Sequence, residues 1–176
     1  MKHLQAVVFL PVTVTVVIPA ILIADTGSVN IGWSLPPPFI VAPVAIGALL
    51  IGLGLVLLVN TIALFATLGQ GTLAPWAPTQ NLVVGGVYQY VRNPMISSVS
   101  CILLGEAALF GRLPLLGWFL VFLSLNFIYI PLVEEPGLER RFGETYVRYK
   151  QHVPRWIPRT RPWSAPPEEQ ESSVRF

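Results

Sequence analysis

The sequence predicts an all-α integral membrane protein. It should have about four transmembrane helices, the last two forming a helical hairpin, followed by a cytoplasmic amphipathic C-terminal helix. Three observations carry this. Only 11% of the 176 residues are charged, where a soluble domain carries about 25%. Mean hydropathy is +0.65. Apolar runs recur along the chain at the ~20 residues needed to cross a ~30 Å hydrocarbon core.

The first run, residues 4–24, is LQAVVFLPVTVTVVIPAILIA. It is longer than the roughly 7–15 apolar residues of a signal peptide, and no small-residue cleavage site follows. It therefore reads as a retained span. Pro11 and Pro19 should kink it, which membrane helices tolerate when neighbours satisfy the freed carbonyls. Residues 25–38 form a loop ending in Pro36-Pro37-Pro38, since consecutive prolines stop a helix. The second span covers 39–68 and is rich in small residues, among them Ala45, Gly47, Ala48, Gly52 and Gly54. Residues 69–94 break the hydrophobicity with repeated Gly and Pro. The third span, 95–110, is short. Gly111, Arg112 and Pro114 then mark a tight turn into the fourth, 115–133.

A lid helix is expected over about 137–152. Leu138, Phe142, Tyr146 and Tyr149 share one face at helical spacing. Gly143 interrupts it, and Pro154 and Pro158 end it. One polytopic domain, 1–161, is the natural division. The Pro-, Ser- and Glu-rich end, 162–176, has the composition of a disordered tail. Four spans put Lys2, Arg92, Arg140, Arg141, Arg148, Lys150, Arg155, Arg159, Arg161 and Arg175 on one side and Arg112 alone on the other. The positive-inside rule then places both termini and segment 69–94 in the cytoplasm.

Composition also excludes. A net charge of +2 with no basic stripe and no motif gives no reason to expect a nucleic-acid partner. Cys101 is the sole cysteine, so no disulfide forms within the chain. His3 and His152 are far apart, and nothing has metal-ligand spacing. Nothing in the sequence sets an oligomeric state.

Chemistry is expected where the fourth span ends. Glu134 and Glu135 stand at that exit. They are either solvated boundary carboxylates or a site for a cationic ligand, one balancing charge and the other orienting or deprotonating a nucleophile. Arg92-Asn93-Pro94 precedes the third span. Arg92 is an interfacial anchor or the partner of a carboxylate or phosphate, Asn93 a hydrogen-bonding group, and Pro94 suits a helix start. Gly52-Leu53-Gly54 either lets helices approach closely or lets a ligand lie on the backbone. Arg140 and Arg141, on the lid, attract interfacial phosphate or serve the site. Glu106 lies inside the third span and is a candidate by position, although it lies near enough the far surface to snorkel. Tyr88, Tyr90, Tyr146 and Tyr149 are interface-belt aromatics or ligand contacts.

Together, GGVYQYVRNPM and, after a hairpin, EEPGLERRFGETYVRYKQHVPRWIP resemble the isoprenylcysteine carboxyl methyltransferase and phospholipid N-methyltransferase superfamily, over about residues 45–158. The resemblance implies a membrane methyltransferase that uses S-adenosylmethionine and acts on a lipid-like small molecule. It implies a donor pocket involving Arg92, Asn93, Pro94 and the acidic pair Glu134 and Glu135. Gly52 and Gly54 match the GxG of the phospholipid branch, and Arg140 best matches a catalytic arginine of the prenylcysteine branch. Tyr88, Tyr146 and Tyr149 complete the candidate donor contacts. Asn93 stands where the prenylcysteine branch has histidine, and Ile96 where an aromatic often follows. Two other readings are a membrane reductase using NADPH, whose relatives share a similar C-terminal architecture, and a non-enzymatic scaffold.

Overall fold

The computed structural model of the protein describes residues 9–25, 30–68 and 82–164. The start of the expected first span, half of the expected segment 69–94 (residues 69–81) and nearly all of the expected tail (165–176) lie outside the described residues. Among the described residues every regular element is helical. Helix α1 is Phe9–Asp25, with a π turn at Thr13–Val17. Helix α2 is Val41–Leu68, α3 Pro94–Phe110 and α4 Leu113–Tyr129. A π turn at Ile130–Glu134 leads without a break into α5, Glu135–His152. Short 3-10 turns stand at Ile31–Ser34 and Gly86–Gln89.

Two stretches are long and apolar enough to cross a membrane, Val41–Leu64 and the apolar part of Leu113–His152. Only 17% and 11% of their most apolar windows are buried. A soluble protein's core helix would be mostly enclosed, so these surfaces need a hydrocarbon surrounding. Leu49, Leu53, Val56, Leu120, Leu125 and Leu132 all point outward, Leu132 with 70% of its surface exposed. Helices α1 and α3 are shorter apolar helices.

The chain divides into two compact units. One holds Val8–Val59 and Met95–Phe127. Inside it, α2 and α3 cross at small residues. A Cβ on Gly47 would meet the Gly105 carbonyl oxygen at 2.8 Å, and one on Gly105 would meet the Gly47 oxygen at the same distance. Two turns along α2, Gly54 sits against Ile102 and the Ser98 carbonyl. The partner numbers fall as the α2 numbers rise, so the two helices run antiparallel. This is the close backbone approach that small residues permit in membrane helices. Gly111 ends α3 at φ +60°, a conformation that costs a side-chain-bearing residue but not glycine. Two residues therefore suffice to turn the chain into α4. Trp118 on α4 donates its indole N–H to the Val14 carbonyl at 3.0 Å, satisfying one of the backbone groups loosened by the π turn in α1.

The other unit, among the described residues, holds 60–68, 82–94 and 128–164. Its core is Tyr146, Tyr149 and Val153, packed by Leu82, Val84, Leu138, Phe142 and Trp163. The helix that carries the tyrosines was expected to begin near residue 137, after a break. Instead the chain stays helical from α4 through the π turn into α5. Pro131 has no N–H to give and sits at the start of that turn. The ladder widens there by one residue rather than ending. Gly143 does interrupt α5, at φ +54° and ψ −134°.

Candidate functional site

Three local features bring the site together within the second unit. The 3-10 turn Gly86–Gln89 compacts the chain just before Arg92. Pro94 begins α3 and is fully buried, because a first-turn residue needs no N–H. The π turn sets the rotation of everything after it, so Glu134 and Glu135 leave the helix in different directions.

Their surroundings differ accordingly. Glu135 is 4% exposed and accepts three charge-assisted hydrogen bonds. Arg92 Nη1 donates to Oε1 at 2.8 Å. Arg155 Nε donates to Oε1 and Nη2 to Oε2, both at 2.7 Å. The second pair is the bidentate fork that suits a guanidinium to a carboxylate. Glu134 has neither hydrogen-bond nor ion-pair partner among the described residues. Protein crowding around its carboxyl and, second, the Glu135 carboxylate raise its pKa. Its side-chain surface is nonetheless exposed, so solvent screens both effects.

Arg92 is tied down twice. Its backbone N–H donates to the Pro154 carbonyl at 2.9 Å, and its side chain is 9% exposed. Its Nε is buried with no hydrogen-bond partner. Asn93 Nδ2 reaches the Arg155 carbonyl at 3.4 Å, a long contact. Tyr149 donates its hydroxyl to the Tyr88 carbonyl at 2.7 Å, and the Tyr146 and Tyr149 rings lie 6.2 Å apart. Burial first, then the Glu135 charge, pushes Tyr146 up to about 12, against the opposing pull of Arg92. Burial likewise raises Tyr88 and Tyr149. All three phenols keep their protons at neutral pH.

The structure thus brings together Tyr88, Arg92, Asn93, Pro94, Glu134, Glu135, Tyr146 and Tyr149 from the sequence-derived set. Arg140 is exposed on α5 and is not part of the ion-pair group. Gly52 and Gly54 belong to the other unit. There Gly54 is a helix-packing position, whereas nothing lies within 4 Å of a Cβ on Gly52. The sequence reading assigns no role to Arg155, which the structure ties to Glu135. The available signal is Pro154, which stops α5 and turns the chain back just before that arginine.

A helical membrane protein with an acidic pair, one member of which is held by the arginine of an Arg-Asn-Pro turn, is the class that fold and site define. Residues 42–145, more than half of the chain, match the family model described as phospholipid methyltransferase. The chain belongs to that family, within the isoprenylcysteine carboxyl and phospholipid methyltransferase superfamily. No curated protein and no solved structure matches it.

Proposed function

We propose that the protein transfers a methyl group from S-adenosylmethionine to a lipid-like or hydrophobic acceptor, of the phospholipid-amine or prenylcysteine-carboxylate type, at the cytoplasmic membrane face. Four spans, α1 to α4, and cytoplasmic termini are part of this reading. The observation that carries it is the division of the acidic pair: one glutamate is neutralised by two arginines and its neighbour is left without a partner.

The donor set suits this cofactor. The buried Arg92 Nε, without a partner, fits an anionic oxygen such as the donor's carboxylate, and the partnerless carboxylate is left for the acceptor's amine or proton. S-adenosylmethionine, when bound, supplies a methyl group activated by the positive sulfur. Glu134 takes the acceptor's proton where the acceptor carries one, or orients it in line. Arg92 and Arg155 offset the charge of Glu135. That matters because uncompensated negative charge at the sulfur favours the ground state over a transition state in which the positive charge is fading. The protonated Tyr88 and Tyr146 lie beside the acids without adding charge. Arg140, exposed on α5, is available to an anionic group of the acceptor.

The test is direct. The purified protein, incubated with methyl-labelled donor and a total membrane-lipid extract, should label one lipid class. Calorimetry should show binding of S-adenosylhomocysteine and none of NADPH. Absence of both labelling and S-adenosylhomocysteine binding rules the proposal out, and NADPH binding would favour the reductase.

A further inference from the structure

We propose that Arg155 is a positioning residue of the site. Its guanidinium fork takes both oxygens of Glu135, fastens the segment 153–163 across Tyr88–Asn93, and leaves Glu134 as the uncommitted member of the acidic pair. Arg155 lies beyond the residues matched by the family model.

The segment begins at the end of α5. Val153 is extended, at φ −109° and ψ 121°, and Pro154 cannot continue the helix. The chain turns back and lies along the segment that precedes α3. Arg92 N–H donates to the Pro154 carbonyl, Arg159 N–H to the Tyr90 carbonyl at 3.0 Å, and Trp163 N–H to the Gln89 carbonyl at 3.1 Å. Rising numbers on one side meet falling numbers on the other, so the segment runs antiparallel, as a strap. Trp163 anchors its far end, 5.7 Å from the Tyr149 ring and stacked on His152 at 5.6 Å. Backbone bonds and an aromatic anchor hold the strap to the turn. Among the described residues, Arg155 is the side chain of the strap that is tied to the acidic pair.

The same bonds decide which glutamate is available. With Arg155 in place, both Glu135 oxygens are occupied, and Arg92 adds a third bond. Without it, Glu135 keeps one bond and has an oxygen to compete with Glu134 for any cationic group. Lysine cannot restore the fork, because its ammonium is a single point charge. Arg155 is 32% exposed. It reaches in from the edge, so its loss opens no core cavity.

The experiment uses the full chain in lipid nanodiscs and compares wild type, Arg155→Ala, Arg155→Lys and Arg161→Ala. Arg161 is an exposed arginine of the same strap without the Glu135 contact, so its variant controls for charge. Hydrogen exchange is read at the amides of residues 155–163 and of α2. Arg155→Ala should speed exchange in the strap at least about tenfold, the loss expected when charge-assisted bonds are removed. Exchange in α2 should not change, Arg155→Lys should recover part of the protection, and Arg161→Ala should match wild type. Unchanged strap exchange in Arg155→Ala, or acceleration spread equally over α2, overturns the proposal.

A second arm rests on the methyl-transfer reading. S-adenosylhomocysteine should bind Arg155→Ala about tenfold more weakly than wild type, and Arg161→Ala normally. Equal affinity in Arg155→Ala and wild type overturns the positioning role. If wild type itself binds none, the methyl-transfer reading fails, and the exchange arm alone decides the strap.

Discussion

Neutralising the two adjacent glutamates should have opposite signatures. In Glu135→Gln the carboxylate that accepts from two arginines becomes an amide with one acceptor oxygen, and its NH2 faces a guanidinium. Arg92, with a side chain 9% exposed, becomes a buried cation with poor compensation. Breaking such a pair costs about 3–5 kcal/mol. Arg155 is 32% exposed, so its share falls to the roughly 0–1 kcal/mol of solvent-screened pairs. The remaining amide oxygen keeps the total near the low end, about 3 kcal/mol. That is about two powers of ten in the folding equilibrium. Glu134→Gln removes a charge with no partner from an open surface and should change stability by less than about 0.5 kcal/mol. Its turnover should nevertheless fall by about 100-fold or more, the usual contribution of a positioned acid or base. Equilibrium unfolding in mixed detergent micelles, followed by circular dichroism, measures the first effect, and labelled-methyl transfer the second. Equal destabilisation of the two variants, or full turnover in Glu134→Gln, would refute the division of roles.

Three further outcomes follow from the same geometry. The rate of methyl transfer should fall on acidification through a pKa raised from the usual glutamate value, because Glu134 must be ionised to take a proton. That limb should vanish from the residual activity of Glu134→Gln and persist in Tyr149→Phe. Tyr149→Phe should itself cost about 1 kcal/mol by micelle unfolding, since it leaves the Tyr88 carbonyl without its 2.7 Å donor. Gly54→Ala should destabilise by about 1–3 kcal/mol, because a Cβ there meets the Ser98 carbonyl at 2.8 Å. Gly52→Ala, with nothing within 4 Å, should leave stability unchanged, and a loss there equal to that of Gly54→Ala would contradict the packing described.

The sequence alone determined the helical, membrane-embedded character, the turn at Gly111 and the ingredients of the site. Hydrocarbon admits only backbones that satisfy their own hydrogen bonds, so long apolar runs leave little choice, and glycine beside an arginine and a proline punctuates them legibly. The pairing of Glu134 and Glu135 in one stretch was equally plain, but not which of them is engaged. Consecutive helical residues point about 100° apart, and the π turn at Ile130–Glu134 sets the phase. A continuous run of sequence does not display that extra residue. Gly52 and Gly54 read alike, yet only Gly54 meets the neighbouring helix. Arg155 was hidden for the same kind of reason. Glu135 is 43 residues from Arg92 and 20 from Arg155, and no local period relates positions so distant. Only the folded chain brings the two guanidinium groups to one buried carboxylate, where the low dielectric makes their partnership count.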